Sequence, residues 1–268
     1  TAGLTIASKA SDTSSYFNAQ WNPRAAGTWT ISVEDGTAEP DFIQDNAVQG
    51  NITVLNKTGD GSWSLRGQHA INGGTLNVQS GIFRLDDGAG TLNGGTPGAV
   101  NVGGTLIFNR SATVTENDLY AGTGTVVKAG AGTTILSSTS TFAGATFVSG
   151  GVLRVDGSWG LGTTMRVEQA GTLMGTGSAS GTVVVAGTVS PGASVGTLST
   201  GGEVWEPGAT YRFEVSDLTG TFGAHPGYDR LNVAGDLTIN ASPGNVFTVR
   251  VSTVDSGGGP ALPAHLAA

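Results

Sequence analysis

The chain has 268 residues, with 45 Gly, no Cys, 12% charged residues, 38% hydrophobic residues and a net charge of -8. Glycine this abundant without a three-residue register excludes collagen, and the apolar content excludes a disordered linker. The acidic balance lacks the basic patch that nucleic acid needs, no apolar run is long enough for a membrane-spanning helix, and stability cannot come from disulfides.

In chain order, short Thr- and Val-rich segments bounded by Gly, Asn, Asp or Ser read as strands at 28–33, 51–55, 75–78, 82–85, 105–108, 125–128, 133–136, 146–148, 152–155, 182–185 and 210–215. No stretch keeps a helical apolar period for three turns. Spacing of this kind suits a hairpin sandwich or a solenoid of short coils, and internal repetition decides for the solenoid. Lys57 to Leu65 aligns with Lys128 to Leu136, Ile71 to Thr75 with Phe142 to Thr146, and Gly81 to Asp86 with Gly151 to Asp156, the offset shrinking by a single position from the first block to the last. Gly-Thr-Leu recurs at Gly74, Gly90, Gly104, Gly171 and Gly196, and Gly-Thr-Val at Gly124, Gly181 and Gly187. Each reads as a corner followed by a strand, the glycine supplying a positive φ, the Thr stacking on the Thr of the next coil and the Leu or Val pointing inward. Alternation places Phe83, Leu85, Leu153 and Val155 inside and Arg84 and Arg154 outside.

The block Lys128 to Asp156, with Gly-Thr-Thr-Ile-Leu, Ser-Thr-Phe-Ala-Gly-Ala-Thr and Val-Ser-Gly-Gly-Val-Leu-Arg-Val, closely resembles the autotransporter-associated β-strand repeat of bacterial surface proteins. Lys57 to Asp86 is a more divergent copy. Gly187 to Leu198, Pro207 to Val215 and Tyr228 to Ile239 resemble the C-terminal part of autotransporter passengers. The resemblance implies a right-handed parallel β-helix, export to or across the outer membrane, an adhesive or scaffolding role and no catalytic residues. No run of long amphipathic barrel strands follows, and the start at Thr1 without a basic and apolar leader reads as a processed product.

The expected organisation is a non-repeat segment at 1–56 acting as cap or mating surface, a repeat region at 57–186, a passenger-like module at 187–255 and a Gly/Pro/Ala-rich tail at 256–268. The chemistry expected is sparse. His69 reads as a corner residue, His225 as a loop residue and His265 as part of the tail. The acidic pairs Asp86 and Asp87, Glu116 and Asp118, and Glu203 and Glu206 are the positions a carbohydrate-active β-helix would use. They read better as acids at strand ends. No cofactor or metal motif is present, neither a calcium nonapeptide nor a phosphate loop. Trp21, Trp29, Arg84, Arg154 and Arg166 are the candidates for a partner surface. The expected function is a non-enzymatic extracellular or cell-surface β-solenoid rod, working as adhesin, spacer or self-associating fibre subunit, with a carbohydrate-binding or carbohydrate-active protein as the alternative. Its partners would be further copies of itself or a host or matrix surface.

Overall fold

The computed structural model describes residues 4–18, 26–49, 52–67, 69–70, 73–87, 92, 96–160 and 163–255. Among them there is no helix, and the strands stack in parallel as a β-solenoid. Two compact units divide between residues 146 and 147, inside the segment that carries the repeat.

In the first unit, Leu4–Ser8, Gly27–Val33, Ile52–Thr58, Thr75–Val78, Ala99–Val102 and Leu119–Ala121 form one parallel sheet. Ser15–Phe17, Phe42–Gln44, Ser62–Leu65, Ile82–Asp86, Thr105–Asn109 and Thr125–Lys128 form a second. A third side is made where Val114–Glu116 pairs with Thr133–Leu136. The 1–56 segment, set apart on sequence, thus contributes strands to the same ladders as the repeat.

Register fixes the core. Phe42, Trp63, Phe83, Leu106 and Val126 follow one another on successive strands of the second sheet, each one coil after the last. All five are nearly or fully buried, and Trp63 meets the edge of Phe83 with ring centroids 4.9 Å apart. Burying each such side chain contributes about 1.5–3 kcal/mol. Because alternate residues face in, even a short strand can insert two of them into this stack.

In the second unit, Gly151–Val155, Gly171–Gly175, Thr188–Pro191, Thr210–Val215 and Thr248–Thr253 form one ladder. Thr172, Thr188, Thr210 and Thr248 stack in register within it, the first two being the Thr of Gly-Thr words. Met165–Val167, Ser178–Val185 and Thr197–Trp205 form another, on which both Arg230–Val233 and Leu237–Ile239 pair. Coils lengthen here: Thr197 pairs with Arg230 and Thr210 with Thr248, spans of chain well beyond those between Phe42, Trp63 and Phe83.

One expectation about the repeat changes. Gly104, Gly124, Gly171, Gly181 and Gly187 do not take a positive φ. They are glycines because a neighbouring coil passes where a side chain would begin: a Cβ on Gly104 would lie 2.5 Å from Gly81 O, one on Gly124 2.1 Å from Gly104 O, and one on Gly144 1.9 Å from Gly124 O. Left-handed backbone falls at other glycines, among them Gly81 and Gly151, with φ of 63° and 60°. The copies also occupy different sides. Lys57 lies at the end of a strand of the first sheet and Lys128 at the end of one of the second, while 62–65 lies in the second and 133–136 in the third. From Lys57 the first sheet runs through Val78 and Val102 to Leu119–Ala121, three coils on, and Lys128 ends the strand that follows. The offset between copies is therefore three coils and one side, so the module fits any side that offers the same corner.

Candidate functional site

Inward lysines are the first feature of the packing that bears on chemistry. Lys57 follows Ile31 and precedes Val78 in an inward row, and Lys128 follows Phe108. Lys57 Nζ donates to the carbonyls of Thr58 (3.1 Å), Gly59 (2.8 Å) and Ser80 (3.0 Å), and Lys128 Nζ donates to that of Gly130. Burial brings both ammonium groups down to about 8. They tie strand ends to corner carbonyls, which is why both repeat copies begin with Lys.

The acids divide by environment. Arg110 and Glu116 form an ion pair at 2.5 Å with both side chains almost wholly buried, and Asp118, also buried, accepts from Gly98 N at 2.9 Å. Burial pushes the Glu116 carboxyl up against the pull of Arg110, and lifts the phenol of buried Tyr120. Position at a strand end was legible; enclosure was not. In the second unit, Trp205 donates to Glu203, and Asp229 accepts from Gly196 N (2.9 Å) and Glu214 N (2.8 Å). Burial raises both carboxyls to about 7.

The outward faces carry the sequence-predicted arginines. Arg84 reaches Glu39 at 3.1 Å and Asp86 at 3.4 Å. Arg154 pairs with Asp156 at 2.7 Å, and Arg166 bridges Glu168 (2.9 Å) and Glu206 (2.8 Å), whose hydrogen bond raises the guanidinium above its usual value and lowers the Glu206 carboxyl. Trp29 lies in register with Leu55 in the inward-facing row and is half-buried. Trp21 and His265 lie outside the described residues. His69 is in the short strand His69–Ala70, and His225 is exposed in a bend.

Two concavities mark the first unit's outer faces. A cleft of about 270 Å³ on the second sheet is lined by Arg66, Arg84, Asp86, Asp87 and Asn109. Asp86 accepts from the Ser64 hydroxyl and from Asn109 Nδ2 at 2.5 Å. Asp87 accepts from Ser111 N (2.5 Å) and Oγ (2.9 Å), which holds its carboxyl below the usual range. On the first sheet, Asn101 donates to Asn77 and Asn77 to Asn56, both at 2.8 Å, beside a groove of about 420 Å³ that includes Asn77, Gln79, Asn101 and Thr123. Among the described residues no cluster of three or more His, Asp or Glu could hold a metal ion. These polar outer faces bring several unlike side chains together within reach of solvent, an arrangement suited to recognition.

Known proteins share stretches of this sequence. The passenger-associated-transport-repeat matches residues 126–155. The adhesin BmaC autotransporter of Brucella suis biovar 1 (strain 1330) is 34% identical over 178 residues, covering 63% of this chain and 5% of that protein. An extracellular serine protease of Serratia marcescens is 37% identical over 104 residues, covering 38% of this chain and 10% of that protein. The chain therefore spans about a twentieth and a tenth of the length of these relatives.

Proposed function

Because this chain is an autotransporter passenger-like β-helix carrying the passenger repeat, we propose that it works as an adhesin-like, non-enzymatic scaffold displayed on or released from a bacterial surface. The observation that carries the reading is the division of labour in each coil. Apolar and tied side chains fill the interior, while the outer faces are registered rows of Asn, Thr, Arg and carboxylates on a backbone that strand pairing makes rigid. A rigid polar face of repeating pitch suits multivalent contact with a partner surface, where each contact is weak and their number supplies avidity. Of the two relatives, the one named an adhesin supports the reading and the one named a protease does not, and the stretch shared with the protease is the shorter. The test is display of the chain on a non-adherent bacterium, followed by counting attachment to cultured cells and to matrix-coated wells. Attachment above that of bacteria displaying an unrelated β-solenoid supports the reading; equal attachment on every surface overturns it.

A second reading, self-association, is favoured by the second unit's last strands. Leu237–Ile239 and Thr248–Thr253 each pair on one side among the described residues, and Leu237, Ile239, Val249 and Val251 are exposed although their register partners Glu203, Trp205, Tyr211 and Phe213 face the interior side. An unpaired parallel edge beside an apolar cross-section suits another coil, here one from a second copy. Sedimentation that rises with concentration supports it; a single monomeric species throughout removes it.

A further inference from the structure

The outer cleft of the first unit has a composition that selects a ligand. We propose that the space bounded by Arg66, Arg84, Asp86, Asp87 and Asn109 is a subsite for one ring of a neutral sugar, an inference that rests on the adhesive reading and specifies what this face holds.

Size comes first. At about 270 Å³ the cleft lies below the roughly 300–1,000 Å³ of pockets that enclose drug-sized ligands, and so suits a single ring of a longer glycan. Position is rigid. Arg66 directly follows the strand Ser62–Leu65, Arg84 and Asp86 belong to Ile82–Asp86, and Asn109 ends Thr105–Asn109, three strands in continuous parallel register. A ligand seated across them meets groups spaced by the strand ladder and needs no loop to order.

Hydrogen-bonding capacity decides the chemistry. Asn109 spends its amide N–H on Asp86 and keeps its carbonyl oxygen as an acceptor. Asp87 uses Oδ1 on Ser111, which leaves Oδ2 without a partner among the described residues. Among the described residues the Arg66 side chain is held by a 3.8 Å contact with Asp45 alone, and both side chains are about 40% exposed, so most guanidinium donors face water. The cleft thus alternates donors and acceptors. Vicinal hydroxyls each donate one hydrogen bond and accept others, which matches that alternation.

Charge and hydrogen-bonding capacity exclude the neighbouring ligand classes. Glu39, Asp45, Asp86 and Asp87 stand around two guanidinium groups, so a carboxylated or sulfated sugar meets excess negative charge in a chain already at -8. An amine is drawn by that same excess, but an ammonium only donates, so where it replaces a hydroxyl it leaves the Arg66 and Arg84 donors without an acceptor. A neutral polyol uses both kinds of group without burying an unpaired charge.

The experiment titrates the intact chain with three probes that share a ring, methyl glucopyranoside, methyl glucuronide and glucosamine, together with other neutral methyl hexopyranosides, observed by saturation-transfer NMR. Wild type is expected to bind at least one neutral hexoside at millimolar concentration and at least tenfold more tightly than the charged rings. Arg66→Ala and Asp87→Ala, both at the surface, should each weaken binding at least tenfold with an unchanged circular dichroism spectrum, and Arg212→Ala, exposed on the strand Thr210–Val215 of the second unit, should leave it unchanged. Binding that survives both cleft variants, preference for a charged ring, or no binding to any neutral hexoside would overturn the subsite. Adhesion is scored separately with the same variants: attachment that persists in Arg66→Ala and Asp87→Ala shows a wrong subsite on a working adhesin, whereas attachment absent in wild type removes the broader reading.

Discussion

Replacing Gly124 by Ala separates the two reasons a β-solenoid corner takes glycine. The new Cβ would lie 2.1 Å from Gly104 O and 2.8 Å from Gly103 C, all backbone, where real Cβ contacts do not fall under 3.0 Å. One coil must move by most of an ångström from the next, and the hydrogen bonds Gly124 N to Val102 O and Thr125 N to Gly104 O, both 2.9 Å, hold that junction. Overpacking of this kind costs about 1–3 kcal/mol, and each weakened backbone bond about 0.5–1.5 kcal/mol. The expected loss is about 4 kcal/mol, against a gain of about 0.4–1 kcal/mol from a less flexible unfolded chain. Gly73→Ala is the control: its φ is 78°, and its Cβ would meet only a Thr96 methyl at 3.2 Å and the Pro97 carbonyl at 3.6 Å. It should cost about 1–2 kcal/mol, the price of a left-handed alanine. Urea unfolding followed by far-UV circular dichroism measures both. If Gly124→Ala is nearly as stable as wild type, or costs no more than Gly73→Ala, the close-approach argument fails.

Three further outcomes follow from buried charge and the open edge. Arg110→Ala leaves Glu116 buried and unpaired and should cost about 3–5 kcal/mol in the same urea assay, whereas the double variant Arg110→Met with Glu116→Leu should lose less; equal losses would refute the pairing argument. Glu203 and Asp229 have folded values raised to about 7 from 4.5 and 3.8, so the folded state holds more protons than the unfolded state between those limits, and the second unit should lose stability as pH rises from about 4 to 7 and level off above. The Glu203 part is on the order of 3 kcal/mol, so Glu203→Gln should raise the melting temperature at pH 8 more than at pH 5, and a parallel shift at both would sink the assignment. Val249→Lys with Val251→Lys should abolish concentration-dependent sedimentation while keeping the circular dichroism spectrum; association that persists would place the contact elsewhere.

Strand positions were readable because they depend on neighbours in sequence. The predicted segments 75–78, 125–128, 133–136 and 210–215 are strands with those bounds, since Thr and Val alternation and a flanking glycine are local signals. The inward direction of Phe83, Leu85, Leu153 and Val155 followed from the same period of two. The resemblance to the passenger repeat was legible for the same reason, as it rests on words within one module.

Contacts between coils were not. Gly124 looks like any turn glycine until the carbonyl of Gly104, one coil earlier, is placed against it. Nothing local tells that Arg110 and Glu116 close on one another in the buried interior, or that Arg84 sits with Asp86, Asp87 and Asn109 around a cleft reached also by Arg66. The sequence by itself determined the coil, its repetition and the side of each strand that faces in, because backbone geometry makes these functions of adjacent residues. Tertiary structure alone decided which side of the solenoid each repeat copy occupies, which charges are enclosed and which outer residues share a surface. Coil length sets what lies above what, and it is nearly twice as great between Thr210 and its partner Thr248 as between Trp63 and its partner Phe83.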